Sequence, residues 1–189
     1  MLSQYSGYLS GIFMTVAFIP YIVGILRHET RPERASWFIW ALLGGISFFT
    51  QLVKGATHSL WLPATQGLGD LVVFFFATKY GMGGMQKRDK IALCAVVISL
   101  ILWYVTNEPA VALFVAIFID ATGGLLTMIK SYEHPTTEPI LAWVLNFLSG
   151  FFAILAVGNF NLVLLAFPVY IFLINLAITG AILLGRQKA

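Results

Sequence analysis

The sequence is poor in charge and poorer still in cysteine. Of its 189 residues only 10% are charged and 59% are hydrophobic, and mean hydropathy is +0.89. A soluble domain of ordinary composition carries about 25% charged residues, so that class is excluded and the chain reads as an integral membrane protein. Its one cysteine, Cys94, sits in the apolar run LCAVVISLILW. That excludes a disulfide framework and a cysteine-based metal site, and Cys94 reads as a small buried hydrophobe. His28, His58 and His134 fall near helix ends or in loops, which leaves no histidine cluster at membrane depth. No nucleophile, base and orienting group recur at useful spacing, and no dinucleotide motif is present, so neither an enzyme nor a bound cofactor is expected. The last apolar segment contains no lysine for a retinal Schiff base. The GMGGM run at 81–85 is too short and wrongly placed for a phosphate loop and reads as a linker.

What the chain does have is long apolar stretches. A helix needs about 20 residues to cross a bilayer, and seven segments approach that length, near 4–26, 35–53, 59–79, 90–106, 109–130, 137–157 and 160–185. The segments between them hold the charges and the helix breakers. The first segment has no basic leader and keeps its full spanning length, so it reads as a span and not as a cleavable signal.

Lysine and arginine are distributed unevenly among the connections. Counting loops alternately, one side holds Arg27, Arg31, Arg34, Lys79, Lys87, Arg88, Lys90, Lys130, Arg186 and Lys188, and the other holds only Lys54. By the positive-inside rule the N-terminus lies outside and the C-terminus in the cytoplasm. The basic excess is thus a topology signal and gives no reason to expect a nucleic-acid partner.

The chain also repeats itself. An offset of 100 residues pairs Phe18 with Phe118, Ile19 with Ile119, Gly24 with Gly124 and Leu26 with Leu126. At 103 the pairs are Pro32/Pro135, Trp40/Trp143, Leu42/Leu145, Phe48/Phe151, Phe49/Phe152 and Gly55/Gly158. At 105 they are Leu60/Leu165, Pro63/Pro168 and Leu71/Leu176, and Asp70 falls opposite Asn175. A register that holds through three successive helices with short loop slips indicates duplication. The expected fold is all-α: two parallel three-helix repeats, at 1–79 and 109–189, joined by a loop and linker helix at 80–108, with a central cavity between them.

Two intramembrane acids carry most of the chemistry. Asp70 lies in TQGLGDLVVFFF, near the middle of its span, where a carboxylate costs about 2.5–3.5 kcal/mol on insertion scales. It must therefore face the bundle interior or water, and burial makes its protonation part of its chemistry. Gln66 lies one turn earlier on the same face, and Gly67 and Gly69 thin the helix there. Asp120 is central in its own span, next to Thr122 and followed by Gly123 and Gly124. No basic residue occupies the middle of any span. Both acids must be protonated, hydrated, bonded to partners such as Asn146 and Tyr21, or matched by a cation. An interhelical hydrogen-bond clamp is the competing reading of each.

Asn146 and Trp143 share a helix face at i,i+3, suited to stacking a flat solute on indole. Gln51 and Tyr170 are further expected cavity residues, Pro63 and Pro168 are expected helix kinks and gating hinges, and Trp37, Trp61 and Trp103 are read as interfacial belt residues.

The three-one-three order, the FIPY stretch at Phe18–Tyr21 and the loop with Pro32 after the first helix resemble the SWEET and PQ-loop (MtN3-like) transporter superfamily. The family's Pro-Gln pair stands here as Pro20-Tyr21 and, in the second repeat, as Asp120-Ala121. The resemblance implies that Asp70 and Asn175 face each other across a substrate pocket and that Pro20 lets its helix swing. It further implies a transporter of a small polar solute, such as a sugar or an amino acid, working by alternating access with proton coupling through the intramembrane acids. The alternative is a membrane receptor or sensor that uses the same cavity and moves nothing. The partners expected are the solute and the lipid bilayer. Duplication lets one chain enclose a complete pathway, and oligomers are left open.

Overall fold

In lipid every backbone N–H and C=O must find its partner within the protein, which restricts spanning segments of this composition to helices. The computed structural model describes residues 1–28, 32, 34–81, 87–133, 135–137 and 139–188, leaving aside the side chains at 88, 89, 92, 123, 126, 130 and 137. All regular structure among them is helical: α1 (Leu2–Leu26), α2 (Arg34–Val53), α3 (Trp61–Tyr80), α4 (Lys87–Thr106), α5 (Pro109–Glu133), α6 (Ile140–Val157) and α7 (Leu162–Arg186). Six of these, all except α4, are long and apolar enough to cross a membrane. In α4, itself 20 residues long, the charged stretch at its start leaves Leu93–Thr106 as the apolar part, and the helix runs from the basic end to the end where Glu108 meets Lys54. The chain is an integral membrane protein on the ground of these helices.

Breakers set the ends of the helices. Gly158 caps α6 at φ +72° and Gly55 follows α2 at φ +84°, left-handed conformations that favour glycine. These are repeat-matched residues, and both close the second helix of their half. Asn161 accepts from the backbone N–H groups of Val163 and Leu164 at 3.1 Å and so caps α7. Pro109 opens α5 at a position where its missing N–H costs nothing. Two expected boundaries need correction. The sixth helix starts at Ile140 and not at 137, because Pro139 stands at its N-cap in extended conformation. Pro63 is no kink, since it lies in the first turn of α3, where the N–H groups are free in any helix. The GMGGM run lies, apart from Gly81, outside the described residues, as do Arg31 and His134.

The helices form a ring. In the first half α3 lies between α1 and α2, and in the second α7 lies between α5 and α6. The halves meet along two seams, an extensive one between α1 and α6 and a thinner one between α2 and α5. Exchanging α1, α2 and α3 for α5, α6 and α7 reproduces the same set of neighbours, as a duplicated chain would. The helix α4 stands outside the ring against α5 and α2. Cys94 is consequently exposed on α4 and not buried as its apolar surroundings suggest. Large apolar side chains such as Phe118 (71% exposed) and Phe75 (61%) point outward, where lipid takes the place of a packing partner.

Contacts between loops and helix ends define two ends of the bundle. At one end Arg34 Nε donates to the Ala77 carbonyl at 3.0 Å, His28 meets Tyr80 edge to face, and Lys188 lies over the Tyr132 ring at 4.2 Å. Among the described residues, Arg27, Arg34, Lys79, Lys87, Lys90, Arg186 and Lys188 belong to the segments at this basic end. At the other end Lys54 and Glu108 form an ion pair at 2.6 Å, and Thr50 Oγ1 donates to the Pro109 carbonyl at 3.1 Å. Hydrogen bonds from Lys54 and from the Ala110 N–H hold the Glu108 carboxyl below the usual glutamate range. Its charge thus outlasts mild acidification, and the pair is lost only as pH falls through that lowered value.

Lipid tails are as apolar as leucine, so helix association relies on close packing. One close approach joins α2 to α3, where a Cβ on Gly44 would meet Gly67 Cα at 2.7 Å, whereas a Cβ on neighbouring Gly45 would meet nothing within 4 Å. Gly44→Ala is therefore expected to destabilise the protein by about 1–3 kcal/mol, and Gly45→Ala to leave it unchanged or slightly more stable. Thermal unfolding of the two variants in the same detergent checks this.

Candidate functional site

A cavity of about 150 Å³ lies inside the ring. The first half contributes Met14 and Phe18 from α1, Trp37 and Trp40 from α2, and Gln66 and Asp70 from α3. Facing them are Asp120 and Thr127 from α5, Trp143 and Asn146 from α6, and Tyr170 and Asn175 from α7, with Gly124 and three isoleucines filling in. All six ring helices supply side chains, and α4 supplies none.

Helical spacing accounts for these groupings. Gln66 and Asp70 share one face of α3 at i,i+4, and Trp143 and Asn146 share one face of α6 at i,i+3. Trp37 and Trp40 do the same on α2, their rings 5.0 Å apart and nearly perpendicular at 86°. Small residues let the walls close in. A Cβ on Gly69 would strike the Phe18 ring, and one on Gly124 would meet Ile174 Cγ1 at 2.6 Å.

The polar groups fall into two states of satisfaction. Tyr170 donates to Asp120 Oδ2 at 2.6 Å, a bond between α7 and α5. Asn175 donates its amide to the Ile171 carbonyl at 2.8 Å, within its own helix. Asp70, by contrast, is 4% exposed and its Oδ2 has no partner. Gln66 Oε1 and Asn146 Oδ1 are likewise buried without one. The two carboxyl groups lie within electrostatic reach of each other, and no lysine, arginine or histidine lines the cavity among the described residues.

Toward the end with Lys54 the cavity is stopped by apolar packing. Leu62, Leu113, Ala153 and Phe167 cluster with Met14 and Ile171, bringing α1, α3, α5, α6 and α7 together. Beside this plug Ser149 Oγ donates to the Ser10 carbonyl at 2.8 Å, and the two hydroxyls are 3.2 Å apart, stitching α6 to α1. A second cluster with Ile39, Leu43, Val96 and Ala112 joins α2, α4 and α5.

Of the residues singled out from the sequence, Asp70, Asn175, Asn146, Trp143, Gln66, Tyr170 and Asp120 all line the cavity. Gln51 does not. It is fully buried in α2, with both side-chain polar atoms unpartnered, away from the lining set. Tyr21 packs against the Trp37 ring at 4.8 Å. Pro20 lies inside α1 on its exposed side, and Pro168 is buried inside α7. The expected interfacial position of Trp37 is corrected, because α2 turns it inward beside Trp40. Trp61 is exposed and meets Tyr8 edge to face, whereas Trp103 packs against the second core cluster. Trp40 escaped attention as a lining residue although it is the repeat mate of Trp143, which was the signal that marked it.

The Tyr170–Asp120 bond has a clear consequence. Tyr170→Phe removes the donor from a buried carboxyl and is expected to cost about 1–3 kcal/mol of stability. Combined with Asp120→Ala the two losses should fall short of their sum, measured as a double-mutant cycle on thermal unfolding in detergent.

The chain matches no family model, no curated protein and no solved structure.

Proposed function

We propose that this protein carries a small polar solute across the membrane by alternating access, coupled to protons through Asp70 and Asp120. In this reading α1–α3 and α5–α7 are the two parallel triplets of a SWEET-like three-one-three bundle, α4 links them, and the N-terminus faces outward with the basic end in the cytoplasm. The observation that carries it is the cavity itself, lined by polar and aromatic side chains from both halves and buried among helices with otherwise apolar exteriors. A structural clamp would need one hydrogen-bonded pair; unpartnered oxygens from α3 and α6 and three indoles from α2 and α6 around one space suit a solute better.

The contacts between the halves support a conformation closed at one end. Ser10 with Ser149 and Thr50 with Pro109 bridge the triplets on the side of the apolar plug, and Lys54 pairs there with Glu108 just ahead of α5. At the basic end Arg34 and Ala77, and Lys188 and Tyr132, pair within a triplet. A solute would then reach the cavity from the basic side, and passage would require the seam at Ser10 and Ser149 to open.

Uptake of labelled sugars, amino acids and other small polar metabolites into proteoliposomes, with and without a proton gradient, tests the proposal. Wild type is expected to accumulate at least one solute, Asp70→Asn to lose about tenfold or more of that flux, and Asp120→Asn to retain exchange while losing the response to the gradient. Saturable binding with no flux of any solute would sink the carrier and favour a receptor. A cysteine pair at positions 10 and 149, in a Cys94→Ser background, is expected to cross-link on oxidation and stop uptake, with recovery on reduction. Undiminished flux through the cross-linked protein would contradict opening at that seam.

A further inference from the structure

We propose that the cavity selects a small organic cation bearing N–H donors, an ammonium or amidinium headgroup on a compact apolar body, over a neutral solute such as a sugar. The inference deepens the carrier reading by naming its substrate class, and it rests on that cavity being a solute site.

Charge is the first ground. Two carboxyl groups, Asp70 and Asp120, line one cavity, with no cationic side chain among the described lining residues. An ionised carboxyl buried there is costly without a counter-charge, and no described lining residue provides one. Asp120 has the Tyr170 hydroxyl as a donor at 2.6 Å. Asp70 is the more demanding group: nine-tenths and more of it is buried, it points into the cavity, and its Oδ2 has no donor. A ligand cation supplies both missing features at once, the positive charge and the N–H.

Hydrogen-bond polarity is the second ground. As placed, the unpartnered buried atoms around the cavity are all oxygens, Asp70 Oδ2, Gln66 Oε1 and Asn146 Oδ1. The Tyr170 hydroxyl hydrogen is used on Asp120 and one N–H of the Asn175 amide on the Ile171 carbonyl. A sugar presents hydroxyls that both give and take, whereas an ammonium or amidinium only gives, which suits these three unpartnered oxygens.

The third ground is the wall's shape. Trp37 and Trp40 stand at right angles to each other on α2, with their counterpart Trp143 on α6 across the cavity. Indole faces attract cations through the ring quadrupole, and they stack planar groups such as amidinium. Size agrees, since about 150 Å³ is the space that holds a benzene-sized ligand in engineered cavities.

Benzamidinium and benzamide have the same shape and differ in charge, so they separate the proposal from simple packing. Titration calorimetry on the purified full-length chain in detergent near neutral pH is expected to show benzamidinium bound about tenfold or more tighter than benzamide. Asp70→Asn should remove that preference and leave the weak benzamide affinity unchanged. Equal affinities in wild type, tighter binding of glucose than of benzamidinium, or no binding of the cation would each overturn the proposal. The wild-type comparison decides even where Asp70→Asn fails to fold. Because binding is read without a membrane, the two readings fail separately. A cation that binds and does not cross in proteoliposomes refutes the carrier alone, and flux of a neutral solute without cation binding refutes this proposal alone.

Discussion

An acid cannot face lipid, and two of them in the middle of apolar helices impose order on the whole bundle. Asp70 on α3 and Asp120 on α5 must each turn inward. Fixing those two helices about their axes fixes which faces of the others remain to cover them. The side chains that share a face with each acid, Gln66 below Asp70 and Gly124 and Thr127 beyond Asp120, are thereby drawn to the same interior. The outward faces are left to phenylalanine, leucine and isoleucine.

Close packing then holds the interior in shape. Without a hydrophobic drive between helices in lipid, contact area must come from backbones that approach each other, and glycine makes the approach. Gly44 against Gly67 seats α2 on α3, and Gly150 against the Phe172 backbone seats α6 on α7. These are equivalent junctions of the two halves. The seams between halves are built differently, from an apolar plug, a pair of serines and an exposed ion pair. The α1–α6 seam is extensive and the α2–α5 seam thinner, and the cavity sits on the surface between the halves.

The halves have also diverged where chemistry concentrates. Asp70 is matched by Asn175, and Pro20 by Asp120. Both differences place negative charge or its precursor in the cavity from one side at a time, while the tryptophans Trp40 and Trp143 are retained on both. The scaffold keeps its pattern of neighbours and the lining does not.

Membrane character, the number and rough extent of the helices and most of the polar lining residues were legible in the sequence by itself. The reason is energetic: lipid penalises each polar group singly, so hydropathy and the position of an acid in a span are local signals. Helix phase was legible for the same reason, in Gln66 with Asp70 and in Trp143 with Asn146. Tertiary structure alone decided which inward-facing polar residues share one space. Gln51 is as inward as Asp70 yet lies outside the lining, and Trp37 is a lining residue although its place near a helix end resembles that of an interfacial anchor. It also decided that Tyr170 is the donor to Asp120 and that α4, carrying Cys94, stands outside the ring. Such facts depend on the lateral order of the helices and on their depth against one another, which are set by packing between distant segments and leave no periodic trace along the chain.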